Sequence, residues 1–138
     1  MDRNKQVELL KAAIEARKNA YVPYSHFGVG AALLTSEGKL YTGCNIENAA
    51  FGPTICGERT AIFKAVSEGE RNFAAIAIVG GPVDGALRPF CPPCGTCRQV
   101  MSEFCDGDFE LIFGSCPEDM SVYTLDQILP HRFHLEEE

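Results

Sequence analysis

Apolar positions over residues 3–20 recur at a helical step: Val7, Leu10 and Ile14 stand at i, i+3 and i+7, and Asp2 is placed to cap the first turn. Tyr21-Val22-Pro23-Tyr24 stops the pattern, because proline disfavours helical backbone at the residue before it. From Phe27 to Thr35 the period becomes two. Phe27, Val29, Ala31 and Leu33 share one face, and Gly28, Gly30 and Ala32 leave the other small enough for a second element to approach closely. Ser36-Glu37-Gly38 then reads as a turn and Leu40–Cys44 as a return strand, which predicts a hairpin. After a loop rich in Asn, Gly and Pro, residues 55–68 have a helical pattern with Ile62, Ala65 and Val66 inward and Gly69 as the stop. A continuous apolar strand follows at Phe73–Val79, ended by Gly80-Gly81-Pro82. The pattern then gives a helix at 94–104, a strand at 109–113 and a short helix at 125–129. That last helix opens on Thr124, with Gln127 at capping-box spacing, and closes at Pro130. A hairpin followed by alternating helices and strands predicts an α/β sandwich with a mixed sheet. No repeat, linker or low-complexity tract divides residues 1–138, which read as a single domain.

Charge and cysteine content narrow the chemistry. Twelve cationic against nineteen acidic residues leave a net charge of −7, and the densest cationic clusters are pairs such as Arg17-Lys18. That balance opposes nucleic-acid binding, which draws its affinity from clustered Lys and Arg. No run reaches the ~18 apolar residues of a membrane span, and the N-terminus lacks the apolar stretch of a signal peptide. Seven cysteines are too few for a disulfide scaffold and odd in number. A reducing cytoplasm is the expected compartment, where clustered cysteines point to metal or catalysis.

The densest cluster is Cys91-Pro92-Pro93-Cys94-Gly95-Thr96-Cys97. Cys94 and Cys97, at i and i+3 on a helix, can reach one ion, and Pro93 suits the position just before a helix. A thiol there meets free backbone N–H groups and the helix dipole, both of which favour the thiolate. Cys56-Gly57-Glu58-Arg59, 38 residues upstream, also falls at a helix start. Three thiolates would form a tetrahedral Zn²⁺ site with one open corner, the catalytic pattern, at which bound water becomes hydroxide near neutral pH. Glu58, on the same first turn as Cys56, suits proton shuttling. With hydroxide bound, such a centre carries charge −2, which Arg59 would offset by donating to the sulfurs. Two other readings use the same residues. Cys91 could complete a closed Cys₄ structural site, although the extended path that Pro92-Pro93 forces before the helix points Cys91 away, and the pairs Cys91/Cys94 and Cys94/Cys97 permit a thioredoxin-like redox role. Cys44, Cys105 and Cys116 read as small core residues.

Four ordered motifs resemble the small zinc-dependent cytidine deaminases: Tyr21-Val22-Pro23-Tyr24-Ser25-His26-Phe27, Gly43 to Phe51, Cys56 to Ala61 and Pro93 to Gln99. Leu129-Pro130 with Phe133 is similar to the family's C-terminal end. The resemblance implies a three-layer α/β/α sandwich with about five strands in a mixed sheet, one Zn²⁺ per subunit and a homotetramer. It implies Cys56, Cys94 and Cys97 as ligands and Glu58 as the catalytic shuttle. It also implies Asn45 and Glu47 on the ribose hydroxyls, Phe27 against the base, and backbone contacts to the base at Gly57. The implied reaction is hydrolysis of free cytidine and 2′-deoxycytidine to the uridines and ammonia, with zinc hydroxide as nucleophile. Two positions depart from the family: Gly57 stands where alanine is usual, and Phe51 where tyrosine often reaches a neighbouring subunit's site. Relatives that edit nucleic acids need a basic groove or stacking platform, which this acidic chain lacks, so a nucleoside is the expected partner.

Overall fold

The computed structural model describes residues 1–135; Glu136-Glu137-Glu138, expected to form a solvated tail, lies outside the described residues. Asp2 Oδ1 accepts from the Lys5 amide at 2.9 Å and opens helix α1, Arg3–Arg17. It ends three residues short of the expected 20, where the amides of Lys18, Asn19 and Ala20 donate to carbonyls three residues back, and its last residue, Arg17, turns inward. Its guanidinium donates to the carbonyls of Gly28, Gly81 and Pro82 at 2.8–2.9 Å. Strands β1 (Phe27–Thr35) and β2 (Leu40–Cys44) form the expected antiparallel hairpin. Helix α2 (Gly57–Ser67), strand β3 (Phe73–Pro82), helix α3 (Gly95–Phe104), strand β4 (Glu110–Phe113), strand β5 (Ser121–Thr124) and helix α4 (Leu125–Ile128) complete the chain.

The sheet order is β2-β1-β3-β4-β5, with β3 and β4 parallel and every other pair antiparallel. Two apolar cores lie on its two faces. Leu9, Leu10 and Ala13 of α1 pack with Ala32, Ala75, Ala77, Val79 and Ile112. Ile62 and Ala65 of α2 and Met101 of α3 pack with Ala31, Leu33, Ile76, Ile78 and Leu111 on the other side. This is the α/β/α sandwich expected, and the small face of β1 has the expected use. A β-carbon on Gly30 would overlap the Ala13 carbonyl oxygen and stand 2.6 Å from the Arg17 nitrogen.

Two boundaries differ from the sequence reading. Gly80-Gly81-Pro82 does not end β3: Val29↔Gly80, Gly28↔Gly81 and Phe27↔Pro82 remain in register with β1. Strand β5 is additional. It pairs antiparallel with β4 after a single 3₁₀ turn at Pro117–Asp119. Of the three cysteines expected in the core, Cys105 is buried, whereas Cys44 and Cys116 are only partly so.

Candidate active site

Cys56 is the N-cap of α2 and Cys94 the N-cap of α3, both in extended backbone and neither using its side chain as a cap. Cys97 lies one turn into α3 and is buried. The Cys94 and Cys97 sulfurs are 3.5 Å apart and those of Cys56 and Cys94 4.0 Å. All three lie within 4.8 Å of one another. Sulfurs bound at ~2.3 Å to one tetrahedral ion are separated by about 3.8 Å. The three thiols therefore fit Zn²⁺ without rearrangement of either helix.

The surroundings are arranged for negative sulfur. Arg59 Nη2 donates to Cys56 Sγ at 3.2 Å, and its buried Nε has no oxygen or sulfur partner within hydrogen-bond geometry. Hydrogen bonding from Cys97, then from Arg59, holds the Cys56 thiol down at about 5 against the effect of burial. Cys97 is pushed up by the same sulfur–sulfur hydrogen bond and by burial. Glu58, the next residue but one after Cys56, is 4% exposed, and burial raises its carboxyl to about 7. A carboxyl poised there can take and return a proton near neutral pH.

Cys91 does not join the cluster. Among the described residues the ligand-capable group contains Cys56, Cys94 and Cys97 alone. The Cys91 sulfur instead points at the backbone of Gly80. The closed Cys₄ arrangement is thereby removed, and all seven cysteines are free thiols.

The segment bearing Asn45 and Glu47 is clamped beside the cluster. Ile46 exchanges both backbone hydrogen bonds with Ile55, immediately before Cys56, at 3.0 Å each. Tyr21 and Glu47 join the same ladder through Tyr21 N to Asn45 O at 3.0 Å and Glu47 N to Tyr21 O at 2.8 Å. The Asn45 amide is anchored to β1, accepting from Val29 N and donating to Phe27 O, both at 2.9 Å. One N–H and one lone pair of that amide remain for a ligand. Glu47 Oε1 accepts from the Tyr24 and Ser25 amides at 3.0 and 3.1 Å. The Ser25 hydroxyl leads the groups that hold the Glu47 carboxyl below the usual carboxylate range. Glu47 and Phe51 line one open cleft of about 290 Å³ with Tyr24, Ser25, Asn48 and Thr54. Phe51 is 87% exposed there.

Phe27 begins β1 directly after His26, whose φ of 57° places it in the left-handed region that redirects the chain. Gly57 is buried: a β-carbon there would lie 3.2 Å from Val29 Cγ1 and 3.4 Å from Asn45 N, so an added methyl fits only if Val29 yields slightly. The sequence reading missed Arg88, whose guanidinium carbon lies 5.2 Å from the centre of the Phe27 ring. A lone arginine in a loop carries no motif that would reveal it.

A mixed-sheet sandwich bearing three convergent thiols at two helix starts, with a buried carboxyl beside them, has the makings of a zinc-site hydrolase. The model described as the cytidine and deoxycytidylate deaminase zinc-binding region matches residues 3–113. A cytidine deaminase of Halalkalibacterium halodurans is 50% identical over 129 residues, 94% of each chain. One from Sporosarcina psychrophila is 47% identical, covering 94% of this chain and 92% of the relative. The crystal structure of cytidine deaminase from Burkholderia pseudomallei superposes with a TM-score of 0.83 at 44% identity, covering 91% of this chain and 97% of that one. The chain belongs to the cytidine and deoxycytidylate deaminase family.

Proposed function

We propose that the protein hydrolyses free cytidine and 2′-deoxycytidine to uridine and 2′-deoxyuridine, releasing ammonia, as a step in pyrimidine salvage. The observation that carries this reading is the Cys56/Cys94/Cys97 cluster with Glu58 buried beside it and Arg59 on its sulfur. Cys56, Cys94 and Cys97 would hold one Zn²⁺ per chain. When bound, the metal supplies Lewis-acid activation of water.

The chain's own groups do the rest. Glu58 accepts a proton, delivers it to N3 of the pyrimidine, and carries a second to the departing 4-amino group; near pH 7 one carboxyl can serve as both base and acid. Phe27 packs against the base, and the Gly57 backbone meets it from the α2 side. Asn45 and Glu47 hold the ribose hydroxyls, for which the ionised Glu47 carboxylate is a strong acceptor where water is excluded. Arg59 offsets the charge of the thiolates. Phe51, highly exposed on its loop, would reach a neighbouring subunit's site in a homotetramer.

The compartment we propose is the cytoplasm, where free thiols persist. No helix among the described residues is long and apolar enough to cross a membrane. A single-stranded oligonucleotide is not an expected substrate at a net charge of −7.

The test is loss of cytidine absorbance with and without a zinc chelator. Turnover that stops on chelation and returns with zinc is expected, and turnover indifferent to chelator refutes the zinc reading. Glu58→Gln should retain fold and metal and lose at least ~10²-fold in kcat. Residual activity near wild type would remove Glu58 from its role.

A further inference from the structure

Three groups that the reaction does not use converge on Phe27. The first is Gly80, opposite Val29 in the β1–β3 pairing. A β-carbon there would stand 2.5 Å from Cys91 Sγ, 3.1 Å from Phe27 Cε1 and 3.4 Å from Val29 Cγ2. The Cys91 thiol and the edge of the Phe27 ring therefore both border the space above the bare Gly80 backbone. The second is Cys91 itself, half-buried on the approach to α3 and close enough to Glu58 to feel its charge. The third is Arg88, whose amide donates to Gly80 O at 2.8 Å while its guanidinium carbon sits 5.2 Å from the Phe27 ring centre. Every other arginine among the described residues donates to an oxygen or a sulfur. The Arg88 guanidinium instead lies over the Phe27 ring.

We propose that Arg88 and Cys91 are positioning residues, which fix the Phe27 ring from its face and its edge and so set the protein's affinity for the nucleobase. The inference rests on the reading of Phe27 as the wall of the base pocket. Arginine suits the face because a planar guanidinium covers a ring that lysine can only touch as a point charge. Cysteine suits the edge because its single sulfur fills the space above Gly80, where no side chain can enter while the thiol is present. Neither group touches the reacting atoms. Their loss should therefore weaken binding of substrate and product alike and leave the chemical step unchanged.

The experiment measures KM and kcat for cytidine, and Kd for uridine by calorimetry, in zinc-loaded protein of equal metal content. Arg88→Ala, on an exposed loop, should raise KM and the uridine Kd about two- to fivefold with kcat unchanged, and Arg88→Lys should restore part of the loss. Cys91→Ala should raise both constants by leaving a void, and Gly80→Ala by forcing sulfur and ring apart. The double variant Gly80→Ala/Cys91→Ala should recover toward wild type, because the new methyl occupies the space the sulfur vacated. Unchanged KM and Kd in Arg88→Ala, or additive losses in the double variant, would overturn the proposal, as would a fall in kcat at constant KM. Arg88→Ala keeps the question decidable if Gly80→Ala does not fold. Wild-type protein that neither converts cytidine nor binds uridine would instead refute the reading of the site.

Discussion

Arg59 places a permanent cation against the thiol cluster. Its Nη2 reaches Cys56 at 3.2 Å, and that donor is among the groups that keep the sulfur ionised. Arg59→Gln should leave the fold intact and weaken zinc affinity by about 10–100-fold, read by competition with a chromogenic chelator. Cys97 supplies the pH dependence. Its thiol is raised by hydrogen bonding to Cys56 and by burial, so at neutral pH it holds a proton that an incoming ion must displace, whereas Cys56, at about 5, is already a thiolate. Zinc affinity should therefore rise with pH across the neutral range, by about tenfold per unit for each proton released, and fall on acidification. The same competition assay at pH 6, 7 and 8 checks the sign; affinity independent of pH would contradict it. The convergence of Cys56, Cys94 and Cys97, with Arg59 on a sulfur, was legible in the sequence because CxxC and Cys-Gly-Glu-Arg are local patterns. The orientation of Cys91 was legible as well, since the extended path that Pro92-Pro93 forces before α3 turns its thiol away from the cluster.

At the scale of elements, close approach between α1 and β1 sets the geometry. Gly30 faces the Ala13 carbonyl and the Arg17 amide, both backbone groups that cannot rotate aside. Gly30→Ala should destabilise the protein by at least about 1–3 kcal/mol, seen as a lower urea midpoint, and should loosen the Arg17 hydrogen bonds that join β1 to β3. This contact was legible in advance, because a glycine-rich strand face has few other uses. Strand β5 was not: four residues, Ser121-Val122-Tyr123-Thr124, at a sheet edge and only partly buried, give too short a pattern to separate from a loop. The end of β3 was misread for a related reason. Glycine and proline usually punctuate a strand, but here pairing with β1 and the crowding of Cys91 and Ala86 against the backbone override that preference. The turn into β5 carries its own pH signature. Asp119 accepts from the amides of Ser115 and Cys116 at 2.8 and 3.2 Å, and the Ser115 hydroxyl leads the groups that lower its carboxyl from the ordinary value of 3.8. A folded-state value below the unfolded one gives stability that is present above about pH 4 and lost as pH falls through the folded value. Asp119→Asn should flatten the acid limb of thermal midpoint against pH; parallel limbs in the two proteins would show that the carboxylate contributes nothing.

For the whole molecule, the question is what the metal holds together. Cys56 and Cys94 open different helices 38 residues apart, so one ion bound to both closes a long loop and locks the starts of α2 and α3 in place. The two cores on the sheet faces contain none of the three thiols among their buried members. They should persist without zinc, unlike a zinc finger, whose fold is lost with its metal. Binding to the native state alone adds about 4 kcal/mol when free zinc exceeds its Kd a thousandfold. For a chain of this size about 2–8 °C accompanies each kcal/mol, so chelation should lower the thermal midpoint by on the order of 10 °C or more. Far-UV circular dichroism should stay native-like at 25 °C while cytidine turnover is abolished, and zinc should restore both midpoint and activity. Loss of the dichroism signal on chelation would mean that the thiol cluster organises the sheet and its helices, rather than being carried by them.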